Sequence, residues 1–269
     1  MKMEAFIMTR VAIAGGTGLV GRYATEALCR AGHETVTLAR ATGVDLLAGA
    51  GLADALRGVR AVIDVTNTAA ASPDETRAFF GAVTGNLLAA ELRAGVGHHV
   101  ALSIAGVDRI AGNAHYAGKR LQEELVMDGP VAATIVRATQ FHEFPAQVLT
   151  RTQRGPIALM FRGRSQPVAA REVGRLLVEV ATAPARDGGR IEVAGPAVEE
   201  LPEMARKLLA ARGSKARVIP IPLPGAAGRA MRAGSLLPSP AARISGPTFD
   251  DWLQSADARR TGPTVSTGL

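Results

Sequence analysis

Glycines at Gly15, Gly18 and Gly21 set the first chemical expectation for this chain. They lie in Gly15-Gly16-Thr17-Gly18-Leu19-Val20-Gly21, between an apolar run and a helical pattern. In that setting the first glycine permits a tight turn and the second lets backbone approach a pyrophosphate. The third lets the helix pack on the strand. The phosphates then meet free N–H groups at the positive end of the helix dipole. A nicotinamide dinucleotide is the expected ligand, contacted by Gly15, Thr17, Gly18, Leu19, Val20 and Gly21. Arg40 stands at the end of the second strand, where an NAD-preferring site places Asp or Glu for the ribose 2′-hydroxyl. A guanidinium there can pair with a 2′-phosphate through two parallel hydrogen bonds, which favours NADP(H) over NAD(H). The alternative for Arg40 is a solvated surface arginine.

Two short clusters invite a metal reading, His98-His99 and His142-Glu143. Adjacent residues on a strand point to opposite faces, so neighbouring histidines do not readily share one ion. His142 and Glu143 lack supporting ligands nearby in sequence. No metal is expected. His142 is placed at a substrate cleft instead, or as a polar loop residue.

Strands and helices must alternate to position these groups. Arg10–Ala14, Thr35–Ala39, Ala61–Val65, His99–Ile104 and Ala133–Arg137 read as short apolar strands. Helical spacing fills Leu19–Ala31, about Asp74–Ala94 after Pro73, and about His115–Met127. Strands alternating with helices imply βαβ crossovers and a parallel sheet covered on both faces. The expected fold is α/β: a doubly wound Rossmann-type parallel sheet with a smaller C-terminal substrate lobe. Residues 8–138 form the core domain, to which 171–195 return. Residues 139–170 and 196–258 form the substrate lobe, and 1–7 and 259–269 are expected to be flexible. Within the later part, Arg171–Ala183 and Leu201–Arg212 read as helices and Arg190–Val193 as a strand. Val218–Pro224 must be extended, because proline alternates with apolar residues.

Composition narrows the class. The 269 residues are 47% hydrophobic and 20% charged, a globular balance. The net charge of +7 comes from scattered arginines rather than a basic run, so nucleic acid is not an expected partner. Cys29 is the single cysteine, which excludes an intramolecular disulfide. The N-terminal residues lack an apolar stretch of signal length, and no segment has the ~20 apolar residues of a membrane span. A cytoplasmic protein is expected, monomer or homodimer, acting on a small molecule.

The chain resembles the atypical short-chain dehydrogenase/reductases of the NmrA-like, NAD(P)-binding family. The residues behind the resemblance are AGGTGLVG at 14–21, Arg40, Asp45-Leu46, AVIDVTN at 61–67, LSIAGVDR at 102–109, Lys119 and RATQFHEF at 137–144. The resemblance implies that Asp45, after a short third strand, contacts the adenine amino group, with Leu46 beside it. It places Thr66 along the cofactor cleft and Ser103 at the end of the fifth strand as the family's serine. Thr139, Gln140 and Phe141, after the sixth strand, are placed beside nicotinamide and substrate. Strand-end capping is the plainer alternative for Thr66 and Ser103.

Family reductases commonly carry Tyr-x-x-x-Lys on the helix that follows, where the lysine lowers the tyrosine pKa and binds the ribose. Here Lys119 is preceded at four residues by His115, and Tyr116 stands only three residues away. Tyr116 can serve as the acid from a shifted register. His115 can replace it, since imidazole exchanges protons near neutral pH. Otherwise classical proton donation is lost and Lys119 is only a cofactor anchor. Phe141, Phe144 and Met160 are candidates for a lid over an apolar substrate, or for core. The leading expectation is an NADP(H)-dependent oxidoreductase acting on a small carbonyl, quinone or enone. A non-catalytic NADP(H) sensor with a protein partner is the alternative, and an epimerase with retained nicotinamide is a third.

Overall fold

The computed structural model describes residues 8–185 and 188–260. The segments 1–7 and 261–269, expected to be flexible, lie outside the described residues. The chain runs β1 (Arg10–Ala14), α1 (Leu19–Arg30), β2 (Glu34–Leu38), α2 (Leu52–Ala55), β3 (Ala61–Asp64), α3 (Pro73–Ala94), β4 (His98–Ile104), α4 (Ala114–Met127) and β5 (Ala133–Ala138). It continues with α5 (Phe144–Thr152), β6 (Ile157–Phe161), β7 (Arg164–Ser165), α6 (Ala170–Thr182), β8 (Gly189–Ala194), β9 (Glu199–Glu200) and α7 (Leu201–Ala211). The last elements are β10 (Arg217–Ile221), α8 (Gly225–Arg232), β11 (Arg243–Ile244), α9 (Phe249–Leu253) and α10 (Ala256–Arg260). Residues 259 and 260, assigned to a flexible tail on sequence, are the last residues of α10.

Among the described residues the main sheet has seven strands, in the order β11-β8-β5-β4-β3-β1-β2, and every pairing is parallel. The order reverses at β1, with β2 on one side and β3 on the other. That reversal opens a crevice at the carboxyl ends of the strands, where such sheets bind ligands. Both faces are covered. Val11, Ile13, Ile63, Val100 and Val136 pack with α1 and α6, while Ala12, Val62 and Leu38 pack with α2 and α3. Helix α3 begins where sequence chemistry requires it. Ser72 accepts from the Glu75 N–H, the Glu75 carboxylate accepts from the Ser72 N–H, and Pro73 fills the first turn. Gly95, at φ +69°, closes it.

Three expectations are corrected. No strand precedes Asp45: Arg40–Thr42 form a 3₁₀ turn, and Asp45 makes one isolated bridge to Ala50. Ser103 therefore ends the fourth strand, not the fifth, and Thr139 follows the fifth. Arg243–Ile244, placed in the second lobe by sequence, adds to the edge of the main sheet beside β8. In the segment expected to be extended, Val218–Ile221 lie in β10, which pairs in parallel with β6, and Pro224 has extended backbone; Pro220 is tolerated because a two-stranded sheet leaves an open edge.

A second cluster gathers α5, β6, α7, β10 and α9 around Leu149, Met160, Met204, Leu208, Phe249 and Trp252. Met160 is fully buried within it. Packing therefore decides for core over lid at Met160. Among the described residues no helix is long and apolar enough to cross a membrane. None of them form a group of three or more His, Cys, Asp or Glu that could hold a metal ion.

Candidate cofactor cleft and active site

The glycine loop has the geometry that its spacing implies. Gly15 has φ +83°, and a Cβ there would meet the Val65 carbonyl oxygen at 2.9 Å. Only glycine meets both demands at no cost. A Cβ on Gly21 would collide with the Gly15 carbonyl oxygen and approach Gly16 Cα at 2.6 Å. The first turn of α1 is thus seated directly on the loop. Gly18 occupies the N-cap position with extended backbone and no side-chain cap, and no acidic residue stands in that first turn. The leading N–H groups, on Leu19, Val20 and Gly21, are left for an anion from outside the chain. Thr17 is exposed at the loop's tip.

Beyond β2, a cavity of about 130 Å³ is lined by Ala39, Arg40, Val44, Asp45, Leu46, Leu47, Phe79 and Val83. Its mostly apolar walls suit a planar base. Arg40 lies at its rim, 63% exposed, with Nε 3.9 Å from Asp45 Oδ2. Asp45 Oδ1 accepts the N–H groups of Leu47 and Ala48. One oxygen of Asp45 therefore shapes its own turn, the other faces Arg40, and the Asp45 N–H is bonded to Ala50 O. Asn86 on α3 donates to the carbonyls of Leu46 and Leu47 and ties that turn to the helix. Phe79, Val83 and Asn86 escape the sequence reading, because a helix two crossovers away gives no local sign that it walls the pocket.

Lys119 is buried and fully paired. Its Nζ donates to Thr66 O at 3.2 Å, Leu102 O at 2.9 Å and Gln122 Oε1 at 2.8 Å, and lies 4.7 Å from the Phe80 ring centroid. Burial pushes its pKa down to about 8, against the pull of Asp64 and Glu123. Gln122 Nε2 donates to Asp64 Oδ2, and Asp64 Oδ1 accepts the Thr66 N–H. Asp64 and Gln122 are functional candidates that the sequence reading omits. A charged residue inside the apolar run AVIDV is the signal that could have found one of them.

The two proposed acids do not face the cleft as equals. Tyr116 is 8% exposed and packs with Val107, Ile110 and Leu236; burial pushes its hydroxyl up to about 12. His115, against Phe80, is pushed down to about 4 by burial first and by the Lys119 charge second. At neutral pH His115 is therefore uncharged, and Tyr116 keeps its proton within an apolar cluster. The hydroxyls of Thr66 and Ser103 are buried and have no hydrogen-bond partner, so strand-end capping does not account for them.

Thr139 Oγ1 donates to Gln166 O, and Gln140 O accepts the Val168 N–H. Phe141 forms a bridge with Val168 and packs on the sheet's α1–α6 side. His142, expected at the substrate, is instead 1% exposed between Phe249 and Trp252. Its Nε2 donates to Pro247 O at 3.1 Å, and burial lowers its pKa to about 4. It is a core residue of the second cluster. Glu143 is equally buried, with Oε2 3.3 Å from the Ala170 N–H and Oε1 unpartnered. Burial pushes its carboxyl up to about 7.

No family model matches the chain. It is 29% identical over 273 residues to the (4-alkanoyl-5-oxo-2,5-dihydrofuran-3-yl)methyl phosphate reductase of Streptomyces griseus subsp. griseus, across 95% of this chain and 89% of the relative. Its fold is similar to that of MoeE5 solved with UDP-glucose and NAD, at a TM-score of 0.72 and 17% identity, over 93% of this chain and 98% of the other. It is also similar to a short-chain dehydrogenase/reductase superfamily protein from Agrobacterium tumefaciens with bound NAD. There the TM-score is 0.66 and the identity 19%, over 93% of this chain and 97% of the other.

Proposed function

We propose that this chain, which has the fold of the NAD(P)-binding short-chain dehydrogenase/reductase superfamily, is a nicotinamide-dependent reductase of a small alkene conjugated to carbonyl groups. The open N-terminus of α1, seated on the positive-φ turn at Gly15, carries the cofactor part of this reading. The residues fit a dinucleotide: pyrophosphate at Gly15–Gly21, adenine against Phe79 and Val83, and the nicotinamide end toward Thr66 and Ser103. A bound reduced nicotinamide would supply the hydride. The cluster around Phe249 and Trp252 gives the segments after β5 a core of their own, as a separate substrate lobe requires.

The acid–base geometry supports an alkene over a simple ketone. Reducing a ketone generates an alkoxide, which needs a proton from a group matched to the working pH. His115 is neutral at that pH, and the Tyr116 ring is packed among Val107, Ile110 and Leu236. Conjugate reduction yields an enolate, a far weaker base, which solvent can protonate at carbon. The Streptomyces relative is named for a ring whose double bond is flanked by a lactone carbonyl and an alkanoyl carbonyl, which is this class.

The expected result of an NADPH oxidation screen is turnover with enones and acyl butenolides and little with aldehydes. Tyr116→Phe and His115→Ala should each keep kcat within about threefold, because neither supplies the proton. A fall of about 100-fold or more in either variant would return that residue to the role of acid. No turnover with any substrate, despite firm cofactor binding, would favour the dinucleotide sensor.

Preference for NADP(H) rests on Arg40. A 2′-phosphate can draw its guanidinium away from a 3.9 Å, solvent-screened contact with Asp45 at small cost. Arg40→Ala should weaken NADPH binding about 10-fold and leave NADH within about twofold. Fluorescence titration reads both constants, and tighter NADH than NADPH binding by the wild type would defeat the assignment.

A further inference from the structure

The cavity beyond β2 is walled from two sides. Helix α3 supplies Phe79 and Val83, and the turn at 43–51 supplies Val44, Asp45, Leu46 and Leu47. A flat base fits between them only while the turn keeps its distance and register from the helix. Val44, Leu46, Val83 and Leu87 share one apolar cluster. Such packing draws turn and helix together but is non-directional, so it does not set the register. A polar side chain of α3 does. Asn86 Nδ2 donates to Leu46 O at 3.0 Å and to Leu47 O at 2.8 Å. The orientation of this amide is forced, because turning it over would set its oxygen against two carbonyls. Gly49 packs on the same amide: a Cβ there would meet Asn86 Cγ at 3.3 Å and Oδ1 at 3.4 Å. Phe79, Val83 and Asn86 follow at i, i+4 and i+7, so wall and tie share one face of α3.

The remaining bonds of the turn serve its own shape. The Val44 N–H donates to Ala39 O and the Asp45 N–H to Ala50 O. Asp45 Oδ1 accepts from Leu47 and Ala48. The turn is therefore a stiff unit whose placement, rather than shape, depends on Asn86. Of the residues that line the cavity, only Arg40 and Asp45 have polar side chains. Arg40 Nε stands 3.9 Å from Asp45 Oδ2, beyond hydrogen-bond range. An ionised carboxylate only accepts hydrogen bonds. Within an apolar slot it favours a base that carries an exocyclic amino group and rejects one that carries a carbonyl there. That choice holds only while the carboxylate stays within ~3 Å of the base edge.

We propose that Asn86 is a positioning residue of the dinucleotide site: by holding Leu46 and Leu47 it fixes Asp45 opposite Phe79 and Val83, and so makes the site choose adenine over a 6-oxopurine. The proposal rests on the dinucleotide part of the reductase reading and adds a determinant of base selectivity outside the glycine loop. Asn86 does not itself line the cavity and acts through the turn.

The test titrates the full chain with NADPH and with nicotinamide hypoxanthine dinucleotide phosphate in its reduced form, read by nicotinamide fluorescence. The wild type should bind NADPH about 10-fold more tightly than the hypoxanthine analogue. Asn86→Ala should weaken NADPH about 10-fold and the analogue less than about twofold, so that the preference disappears. Alanine is the better helix former, so α3 itself is not weakened. Asn86→Asp keeps the shape but sets acceptors against both carbonyls, and should lose the preference as fully. In the reduction of an acyl butenolide, Asn86→Ala should raise KM for NADPH about 10-fold and keep kcat within about twofold. Equal weakening of both dinucleotides would make Asn86 a general support of the fold and overturn the proposal. A preference that both variants retain, or a wild type that does not distinguish the two bases, would overturn it as well. Asn86-dependent base selectivity without turnover on any substrate would uphold the proposal and remove the reductase reading. A wild type that reduces the butenolide with either dinucleotide equally well does the reverse.

Discussion

A Gly21→Ala chain should lose on the order of 100-fold in dinucleotide affinity and about 2 kcal/mol of stability. The added Cβ meets Gly15 O, Gly16 Cα and Gly16 C, all of them backbone. No side chain can rotate away, so relief requires α1 and the loop to separate. Separation re-aims the turn whose N–H groups face the phosphates. It also loosens Val20, Ala24 and Leu28 from the sheet core. Gly85→Ala in α3 is the matched control, since nothing lies within 4 Å of its Cβ. That change should add about 0.5–1 kcal/mol through helix propensity and leave binding untouched. NADPH titration and urea unfolding measure both. Binding by Gly21→Ala within threefold of the wild type would remove the glycine loop from the cofactor site.

The glycine loop is legible in sequence because its constraint is local. A strand, a turn at positive φ and a packed helix N-terminus each demand a residue type within a few positions. The same holds for the Ser72–Pro73–Glu75 start of α3. Groups paired over long separations are not legible in that way. Lys119 reads as a ribose anchor from its helix, yet its three acceptors come from Thr66, Leu102 and Gln122, two of them in other elements. His142 reads as a cleft residue from its polar loop, yet Phe249 and Trp252, more than a hundred residues on, enclose it. The two-residue strands β7, β9 and β11 are too short for alternation to show. Arg40–Thr42 mimics a strand end because Thr42 Oγ1 donates to Thr37 O and Ala39 O and turns the chain back on itself.

The RATQFHEF segment bears on stability more than on chemistry. Glu143→Gln should stabilise the protein by about 3 kcal/mol above pH 7 and by little below pH 4.5. Glu143 is 1% exposed, and one carboxyl oxygen has no partner. Burial is the main cause of its raised pKa, about 7 against 4.5, and the Asp257 carboxylate adds to it while Arg171 opposes it. The facing groups are Tyr23 on α1, Arg171 on α6 and Asp257 on α10. Asp257 is held by Arg171 through two bonds of 2.7 Å, and Arg171 also binds Glu26. Arg171 therefore has little left for Glu143. An acid whose pKa rises on folding contributes stability that is complete below its unfolded value and lost as pH climbs through its folded value. The loss thus runs from about pH 4.5 to about pH 7. The neighbouring His142, held near 4, acts in the opposite sense: its contribution is present above its unfolded value of 6.5 and falls away in acid. Subtracting wild type from variant cancels the histidine and isolates the carboxyl. Urea unfolding at pH 4.5, 6 and 8 should therefore show a gap that widens with pH. A gap that stays constant across that range would mean that Glu143 is ionised at every pH tested, with a partner for its second oxygen.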